Sequence, residues 1–387
     1  MTRTPVSPLR SGAVRSTLWR NEPGNAHMQT IRAAVCREFG TPLMIEDIRL
    51  AEPGQGQVEV TLDAVAICHS DISYADGAWG GHLPAVYGHE AAGVITRTGP
   101  GAGAFATGDS VVVTLIRACG VCPNCASGRP TICETPTDGT KGAIATADGG
   151  PLLQAMACGA FAEKVVVDHS QIVKIPETLS KEAACLLSCG VITGIGAAVN
   201  AAGLRAGQDV VVIGAGGVGL NAIQGARIAG ARRIVAVDMT EEKLAIAREF
   251  GATDGILASH GKPWRAAHEA LGRGADAVLV TVGAIPAYDQ APRYLGWGGK
   301  VVMIGMPHAD GMAEYNPMGM SYQGQALIGS KMGDVVIQRD IPWMIDLYRQ
   351  GRLKLDELIS GRWRLEQINE AIADTRTGAA RRNVIVF

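Results

Sequence analysis

This sequence of 387 residues has few aromatic residues, almost no net charge and no long apolar run. Aromatic side chains make up 5% and the formal net charge is −2, so nothing favours nucleic acid or an anionic membrane surface as a partner. The sequence also lacks a run of about 20 apolar residues, which predicts that no helix spans a membrane.

Glycine and apolar side chains, by contrast, are abundant. Fifty glycines and 47% hydrophobic residues indicate an α/β protein with a large core and many tight turns. A chain of this length is sufficient for two domains of ordinary size.

The first 27 residues differ in composition from the rest. They contain four arginines and one acid, Glu22, and they lack the apolar segment of a secretory signal. A transit peptide has a similar bias, but we interpret residues 1–27 as a disordered extension, or as the product of an upstream start codon with Met28 as the working start. We therefore predict a cytoplasmic protein whose thiols stay reduced.

Two kinds of pattern divide the remaining sequence. From Thr30 to about Val167, short β-like runs such as "QVEVTLDAVAI" and "DSVVVTLI" alternate with Gly and Pro turns, which predicts a β-rich domain. After that, runs such as "VVVIG", "IVAVD" and "ADAVLVTVG" are typical of buried strands, and helical segments separate them. This second pattern predicts a parallel sheet.

A glycine motif follows the first of these buried strands. Gly214, Gly216 and Gly219 form G-x-G-x-x-G at the start of a helix, where they allow a tight turn, close approach of a pyrophosphate and close helix–strand packing. Asp238 ends the next strand and can accept hydrogen bonds from both hydroxyls of an adenosine ribose. Because a carboxylate there would repel a 2′-phosphate, the pattern predicts NAD rather than NADP.

Four of the nine cysteines fall within "CGVCPNCASGRPTIC". Four thiolates on short loops can close a tetrahedron around Zn²⁺, whereas disulfides are disfavoured in a reducing compartment and strained by two-residue gaps. Buried free thiols are the other alternative. We predict a structural zinc without an open position for a substrate, held by Cys119, Cys122, Cys125 and Cys133.

The other ligand-type residues are scattered over three stretches, "AICHSDIS", "VYGHEAAGV" and "LLSCGVITGIG". Two thiolates and one imidazole would leave one zinc position open, as a catalytic site requires. Spacing alone does not show that these stretches meet, because a histidine between Gly and Glu, or a cysteine at an apolar helix start, is more often structural.

Taken together, "GHEAAGVI", "CGVCPNCASGRPTIC", "SCGVITGIG" and "GAGGVG", in this order, resemble the zinc-dependent alcohol dehydrogenases of the medium-chain dehydrogenase/reductase superfamily. The resemblance runs from about Thr30 to Phe387. It implies an α/β fold in which residues 28–190 and 332–387 form a GroES-like β-rich catalytic domain with both zinc sites. Residues 191–331 would then form a Rossmann domain, a doubly wound parallel sheet that binds NAD.

The resemblance also implies the roles of the scattered residues. A catalytic zinc would be held by Cys68, His89 and Cys189. Three further residues would assist: Asp71 would orient the ligand histidine, Glu90 would lie close behind the metal, and Ser70 would take the proton of the alcohol. The implied reaction is reversible hydride transfer between a primary or secondary alcohol and NAD, with two zinc ions per chain.

A third set of residues would contact the coenzyme. His69 and Arg382 would meet the pyrophosphate, and Asp238 with Lys243 would hold the adenosine ribose. The remaining implied contacts lie around the nicotinamide, its ribose and the glycine turn, and they are Thr193, Gly214, Gly216, Gly217, Val218 and Gly219.

The sequence departs from the family pattern at Ser73, where many members have a histidine that passes the proton to solvent. The substrate is also open, because the chain is similar to formaldehyde dehydrogenases that act on mycothiol adducts. Glutathione adducts are disfavoured by Trp79 and Thr137. A zinc-binding structural or nucleic-acid module is the remote alternative. The family forms dimers and tetramers, so we expect a homo-oligomer with a small alcohol or aldehyde as its partner.

Overall fold

The computed structural model describes residues 28–135 and 137–387, so the extension predicted at residues 1–27 lies outside the described residues. The strands, in chain order, are β1 Gln29–Cys36, β2 Met44–Leu50, β3 Gln57–Ala66, β4 Ala85–Val86, β5 Glu90–Thr98, β6 Ser110–Val113, β7 Ile144–Thr146, β8 Leu153–Gln154, β9 Lys164–Asp168, β10 Ile172–Lys174, β11 Asp209–Ile213, β12 Arg233–Asp238, β13 Asp254–Leu257, β14 Ala275–Val280, β15 Leu295–Met303, β16 Ala326–Gly329, β17 Ile359–Trp363 and β18 Arg382–Val386.

The α-helices lie mostly after residue 180. In chain order they are α1 His69–Ala75, α2 Pro123–Ala126, α3 Lys181–Cys185, α4 Gly190–Gly196, α5 Gly217–Ile228, α6 Glu241–Phe250, α7 Pro263–Leu271, α8 Ile285–Gln290, α9 Pro317–Gln323, α10 Ile337–Arg349 and α11 Ile368–Arg376.

Two sheets make up the β-rich part. One has the order β7-β2-β1-β4-β8, and the other has the order β10-β6-β5-β3-β18-β17, with β9 also paired to β3. The last strand, β18, pairs antiparallel with β3, so the chain's C-terminal segment completes a sheet that its N-terminal half begins.

The third sheet is parallel, with the order β13-β12-β11-β14-β15-β16. Its central strand β11, "DVVVI", is buried along its whole length, as expected for a parallel strand covered on both faces. The strand order reverses between β11 and β14, and ligands of such sheets bind beyond the strand ends at this switch point. This mixed architecture agrees with the predicted fold class.

Close packing of two helices connects the β-rich part with the parallel sheet. A Cβ atom on Gly194 of α4 would lie 2.4 Å from the Val218 carbonyl oxygen of α5, and one on Gly225 would lie 2.8 Å from Ile195 Cα. Only glycine permits this approach. Because α4 follows Cys189 and α5 follows the glycine turn, the N-terminal ends of these helices are brought into one region.

Within the described residues, no single helix is both long and apolar enough to cross a membrane. Lys181–Ser188 and Gly190–Ala201 meet the length and composition criterion only as a pair, and the pair is bent by 51°.

Candidate active site

Three distant stretches of the chain meet at one buried cluster. Cys68 precedes α1, His89 precedes β5 and Cys189 precedes α4. Ligand atoms of these three residues and of Glu90 all lie within 4.8 Å of one another, and the four side chains are buried. The structure therefore places together the residues that the sequence pattern left apart.

Asp71 fixes the orientation of the histidine ring. Its Oδ1 atom lies 2.9 Å from His89 Nδ1 and accepts a 2.9 Å hydrogen bond from the Gly88 N–H, while Oδ2 accepts from the Cys68 N–H at 3.1 Å. His89 Nε2 is buried and has no hydrogen-bond partner among the described residues. A buried nitrogen of this kind, beside two thiols, fits a zinc ligand held by an outer carboxylate.

The ionisable side chains of the cluster shift one another's pKa values. The hydrogen bond from Cys189 and the nearby His89 hold the pKa of Cys68 well below its ordinary value, despite burial. The same hydrogen bond and burial raise the pKa of Cys189. Burial alone would lower the pKa of His89, but Asp71 outweighs it and raises that pKa. One sulfur thus already favours the thiolate form that binds a metal.

Glu90 and Arg382 form a buried ion pair behind the cluster. Glu90 Oε1 lies 3.3 Å from Arg382 Nη1, and Glu90 Oε2 accepts from the Gly190 N–H at 3.3 Å. Burial raises the pKa of Glu90 to about 8, although Arg382 opposes the change. Sequence reasoning placed these two residues in separate sites, one at the metal and one at the coenzyme, and their pairing was not predicted.

Arg382 retains donors for a further partner. Its Nε and Nη2 atoms are buried without hydrogen-bond partners among the described residues. A Cβ atom on Gly217 would lie 2.8 Å from Nε, and one on Gly190 would lie 1.5 Å from Nη2. The guanidinium therefore lies at the start of the twelve-residue helix α5, where backbone N–H groups and the helix dipole also favour an anion.

The glycines of the turn have distinct environments. Gly214 has φ of +98°, which favours glycine, and a Cβ atom on Gly219 would lie 1.8 Å from the Gly214 carbonyl oxygen. A Cβ atom added to Gly216 would have no neighbouring atom within 4 Å. The turn is thus closed towards the helix and open towards the cavity, which fits the approach of a pyrophosphate.

Asp238 lies at the end of β12, next to the turn. Its Oδ2 atom accepts from the Ala215 N–H at 2.6 Å, and its Oδ1 atom accepts from the Met239 N–H at 2.7 Å. Lys243 Nζ lies 3.8 Å from Oδ1. The carboxylate is therefore held beside the glycine turn, with one lysine close by.

One cavity of about 1250 Å³ connects the buried cluster with the glycine turn, Asp238 and Arg382. It lies between the β-rich part and the parallel sheet, and Asp71 and Glu90 lie behind its wall. Many of the predicted site residues line it: Cys68, His69, Ser70, His89, Cys189, Thr193, Gly216, Gly217, Val218, Gly219, Asp238, Lys243 and Arg382.

Apolar and aromatic side chains form other parts of the wall of this cavity. They include Tyr74, Trp79, Leu115, Met156 and Met332. The Tyr74 and Trp79 rings meet edge to face with centroids 5.0 Å apart. Tyr74, Met156 and Met332 were not predicted from the sequence as site residues.

Met332 is a missed residue that contacts the cluster. Its Sδ atom is 3.8 Å from Cys189 Sγ and 3.7 Å from Thr193 Oγ1. Met332, Gly333 and Asp334 have φ of 53°, 67° and 51°, a left-handed turn that gives no signal in the sequence apart from its glycine. A Cβ atom on Gly333 would lie 2.4 Å from the Ile192 carbonyl oxygen, so the turn packs tightly against α4.

The four-cysteine cluster is a separate site. The sulfur atoms of Cys119, Cys122, Cys125 and Cys133 lie within 4.8 Å of one another, and the side chains are half-buried. The Cys119 and Cys125 sulfurs are 4.0 Å apart, too far for a disulfide. Backbone N–H groups of Cys119, Cys122 and Cys125 each donate to a sulfur of the set. Four thiols in this arrangement fit a structural zinc.

Comparison with known proteins agrees with this geometry. The family described as "Alcohol dehydrogenase GroES-like domain" matches residues 54–177, and "Zinc-binding dehydrogenase" matches residues 217–350. A protein of Amycolatopsis methanolica named NDMA-dependent alcohol dehydrogenase is 37% identical over 364 residues, which cover 92% of this chain and 98% of that protein.

The chain belongs to the zinc-dependent alcohol dehydrogenases. It is therefore an oxidoreductase that acts on alcohols. This confirms the predicted enzyme class and argues against the alternative of a zinc-binding structural or nucleic-acid module.

Solved structures of this family have the same fold. The "Alcohol dehydrogenase zinc-binding domain protein" of Burkholderia ambifaria superposes with a TM-score of 0.89 at 34% identity, covering 93% of this chain and 99% of that one. The benzyl alcohol dehydrogenase of Acinetobacter calcoaceticus superposes with a TM-score of 0.87 at 29% identity, with the same coverage.

Proposed function

We propose that this zinc-dependent alcohol dehydrogenase uses NAD and holds two zinc ions per chain. The catalytic ion would be bound by Cys68, His89 and Cys189, and the structural ion by the four-cysteine cluster. The observation that carries the proposal is the buried, unpaired His89 Nε2 beside two thiols, in a cavity shared with the glycine turn.

When bound, the zinc would polarise the alcohol oxygen as a Lewis acid and the nicotinamide would accept the hydride. The protein's own residues prepare that step. Asp71 contacts His89 Nδ1 and is itself held by two hydrogen bonds that it accepts from the backbone N–H groups of Gly88 and Cys68. Ser70 lies two residues after Cys68 and lines the cavity, where its hydroxyl would receive the alcohol proton. Ser73 occupies the position where many members of the family have a histidine that passes the proton to solvent. We therefore propose that in this protein the proton leaves Ser70 through water.

The coenzyme would lie along the cavity wall formed by the parallel sheet. The open turn at Gly216 and the unpaired Arg382 donors would bind the pyrophosphate, while Asp238 and Lys243 would contact the adenosine ribose. His69, Thr193, Gly217 and Val218 line the same cavity, and we assign them to the coenzyme as well. The buried carboxylate of Asp238 favours NAD over NADP because it would repel a 2′-phosphate.

For the substrate, we propose a primary or secondary alcohol with an apolar or aromatic group. The cavity that holds the cluster is also lined by Tyr74, Trp79, Leu115, Met156 and Met332, whose side chains favour apolar contacts. Two relatives bear names of this kind, the benzyl alcohol dehydrogenase of Acinetobacter calcoaceticus and the geraniol dehydrogenase of Castellaniella defragrans. The thiol-adduct alternative for formaldehyde stays open.

An alcohol panel read by NADH absorbance at 340 nm tests this proposal. We expect benzyl alcohol and geraniol to be oxidised with higher kcat/KM than ethanol, and NAD to be preferred over NADP. Because one relative is named for NDMA, the panel is run with and without this compound. Formaldehyde is assayed with and without glutathione or mycothiol, and turnover only in the presence of a thiol would select the alternative. No turnover of any alcohol would overturn the proposal.

We further propose that two copies of the chain associate through the β16 edge of the parallel sheet. This edge strand has no partner on its outer side in the described sheet, and exposed apolar side chains cluster near it. Trp297 and Tyr322 are 71% and 73% exposed with their rings 5.3 Å apart, and Met318 is 73% exposed. Exposed strand edges and apolar patches of this kind mark interfaces.

Light scattering tests this assembly. We expect a dimer, or a tetramer built from it, and dissociation in the double variant Met318→Glu with Tyr322→Glu. Met44→Glu, at a residue 55% exposed in β2, is the control and should leave the mass unchanged. A monomeric wild type would refute the proposal.

A further inference from the structure

Trp79 lies in a glycine-rich loop and lines the cavity. Gly77, Gly80 and Gly81 around it have φ of 78°, 70° and 139°, so the local backbone depends on glycine. The indole Nε1–H donates a 3.1 Å hydrogen bond to the carbonyl oxygen of Pro307. The loop belongs to the β-rich part and Pro307 follows β15 of the parallel sheet, so this bond crosses the cleft.

On one side, Trp79 is connected to the helix that carries the reactive groups. Its ring meets Tyr74 edge to face at 5.0 Å, and Tyr74 also stacks with Tyr87 at 6.2 Å. Tyr74 belongs to α1, which begins directly after Cys68 and contains Ser70. The position of the indole is thus fixed relative to the buried cluster.

On the other side, Pro307 is connected to the coenzyme wall. A Cβ atom on Gly283 would lie 2.3 Å from the Met306 carbonyl oxygen, and one on Gly305 would lie 2.4 Å from the Val282 carbonyl carbon. Val282, Gly283 and Met306 all line the cavity. The segment that accepts the bond from Trp79 is therefore packed directly against the wall of the coenzyme site.

A second connection between the two parts has a different location. Gln224 exchanges two hydrogen bonds with the backbone of Lys354, at 2.8 and 3.1 Å, and neither residue lines the cavity. If the walls of the cavity separate when the coenzyme leaves, this connection can persist, whereas the bond between Trp79 and Pro307 has to break.

We propose that Trp79 is a positioning residue that straps the two walls of the cavity together through Pro307 and thereby slows release of the coenzyme. The inference rests on the proposed NAD site. It assigns the indole N–H a role apart from the apolar face of the ring, which contributes to the substrate wall.

Trp79→Phe separates these two roles, because it removes the N–H and keeps an aromatic ring. We measure NADH dissociation by stopped-flow fluorescence, displacing bound NADH with excess NAD. Loss of one hydrogen bond predicts dissociation about 2- to 10-fold faster. Because the change also makes the ring in the substrate wall smaller, NADH dissociation is measured without any alcohol present. If release limits turnover, kcat should rise with it.

Tyr348→Phe is the matched control, because it also removes one hydrogen-bond donor and keeps an aromatic ring. The Tyr348 hydroxyl donates a 2.6 Å hydrogen bond to Asp356 Oδ2, and neither residue lines the cavity. The NADH dissociation rate of Tyr348→Phe should equal that of the wild type. If the wild type binds NADH normally and the NADH dissociation rate of Trp79→Phe is unchanged, the proposed role of Trp79 is wrong. A wild type that does not bind NADH contradicts the proposed function instead.

Discussion

The two cysteine clusters of this protein differ in almost every physical respect. The four-cysteine cluster comes from fifteen consecutive residues, its side chains are half-buried, and backbone N–H groups support its sulfurs. The cluster of Cys68, His89 and Cys189 comes from three distant stretches and is buried. It is backed by Asp71 and by the ion pair of Glu90 with Arg382. Four thiolates leave a metal closed, whereas three ligands beside a cavity leave it open.

The largest expected effect is the loss of an open-site ligand. Cys189→Ala should lower kcat/KM by about 10³-fold or more, because a Lewis acid contributes several kcal/mol to the transition state. The measurement is alcohol oxidation followed at 340 nm, with circular dichroism to show that the fold is kept. Cys185→Ala removes another buried thiol outside both clusters and should retain activity. Equal activities in the two variants would contradict the assignment.

Removing the charge that orients the histidine should have a smaller effect. Asp71→Asn is expected to lower activity or zinc affinity about 10- to 100-fold, the usual cost of losing an outer partner of a metal ligand. Zinc affinity is measured by competition with a chelator. Asp76→Asn, which alters an exposed ion pair with Arg376, is the control within the same region. Unchanged affinity in Asp71→Asn would show that the His89 ring does not depend on this carboxylate.

The coenzyme preference should respond to Asp238. Asp238→Ala is expected to reduce the preference for NAD over NADP about tenfold, since a hydrogen bond to a charged group contributes about 1.5–3 kcal/mol. The two coenzymes are compared by kcat/KM with one alcohol. The interpretation fails if the wild type already prefers NADP.

The closed cluster should affect activity least and stability most. Cys122→Ser is expected to lower the melting temperature by roughly 5 °C or more, as for a loss of a few kcal/mol, while kcat of the folded protein stays within about twofold. Val121→Ser, at a neighbouring residue that is 84% exposed, should leave both quantities unchanged. A large loss of kcat with an unchanged melting temperature would reverse the roles of the two clusters.

This contrast also explains how far the sequence could be interpreted. The four-cysteine cluster and the glycine turn are local, so spacing and the neighbouring strand were sufficient to predict them. Cys68, His89 and Cys189 meet only because β5, α1 and α4 are brought together by the fold. Their grouping was predicted from the family resemblance and not from spacing.

Two other features of the site, the position of Met332 and the bond from Trp79 to Pro307, could not be predicted from the sequence. Met332 approaches Cys189 because three successive residues adopt a left-handed turn, and two of them are not glycine. The bond from Trp79 to Pro307 joins residues 228 positions apart across a cleft. The predicted domain boundaries at residues 190 and 332 stay predictions.

Metal content tests the division between the two clusters most directly. Zinc per chain is measured by mass spectrometry on the wild type, Cys189→Ala and Cys122→Ser, with activity determined on the same preparations. We predict two zinc ions in the wild type and one in each variant, with activity lost in Cys189→Ala and retained in Cys122→Ser. One zinc in the wild type, or full activity in a Cys189→Ala protein that holds one zinc, would contradict the account.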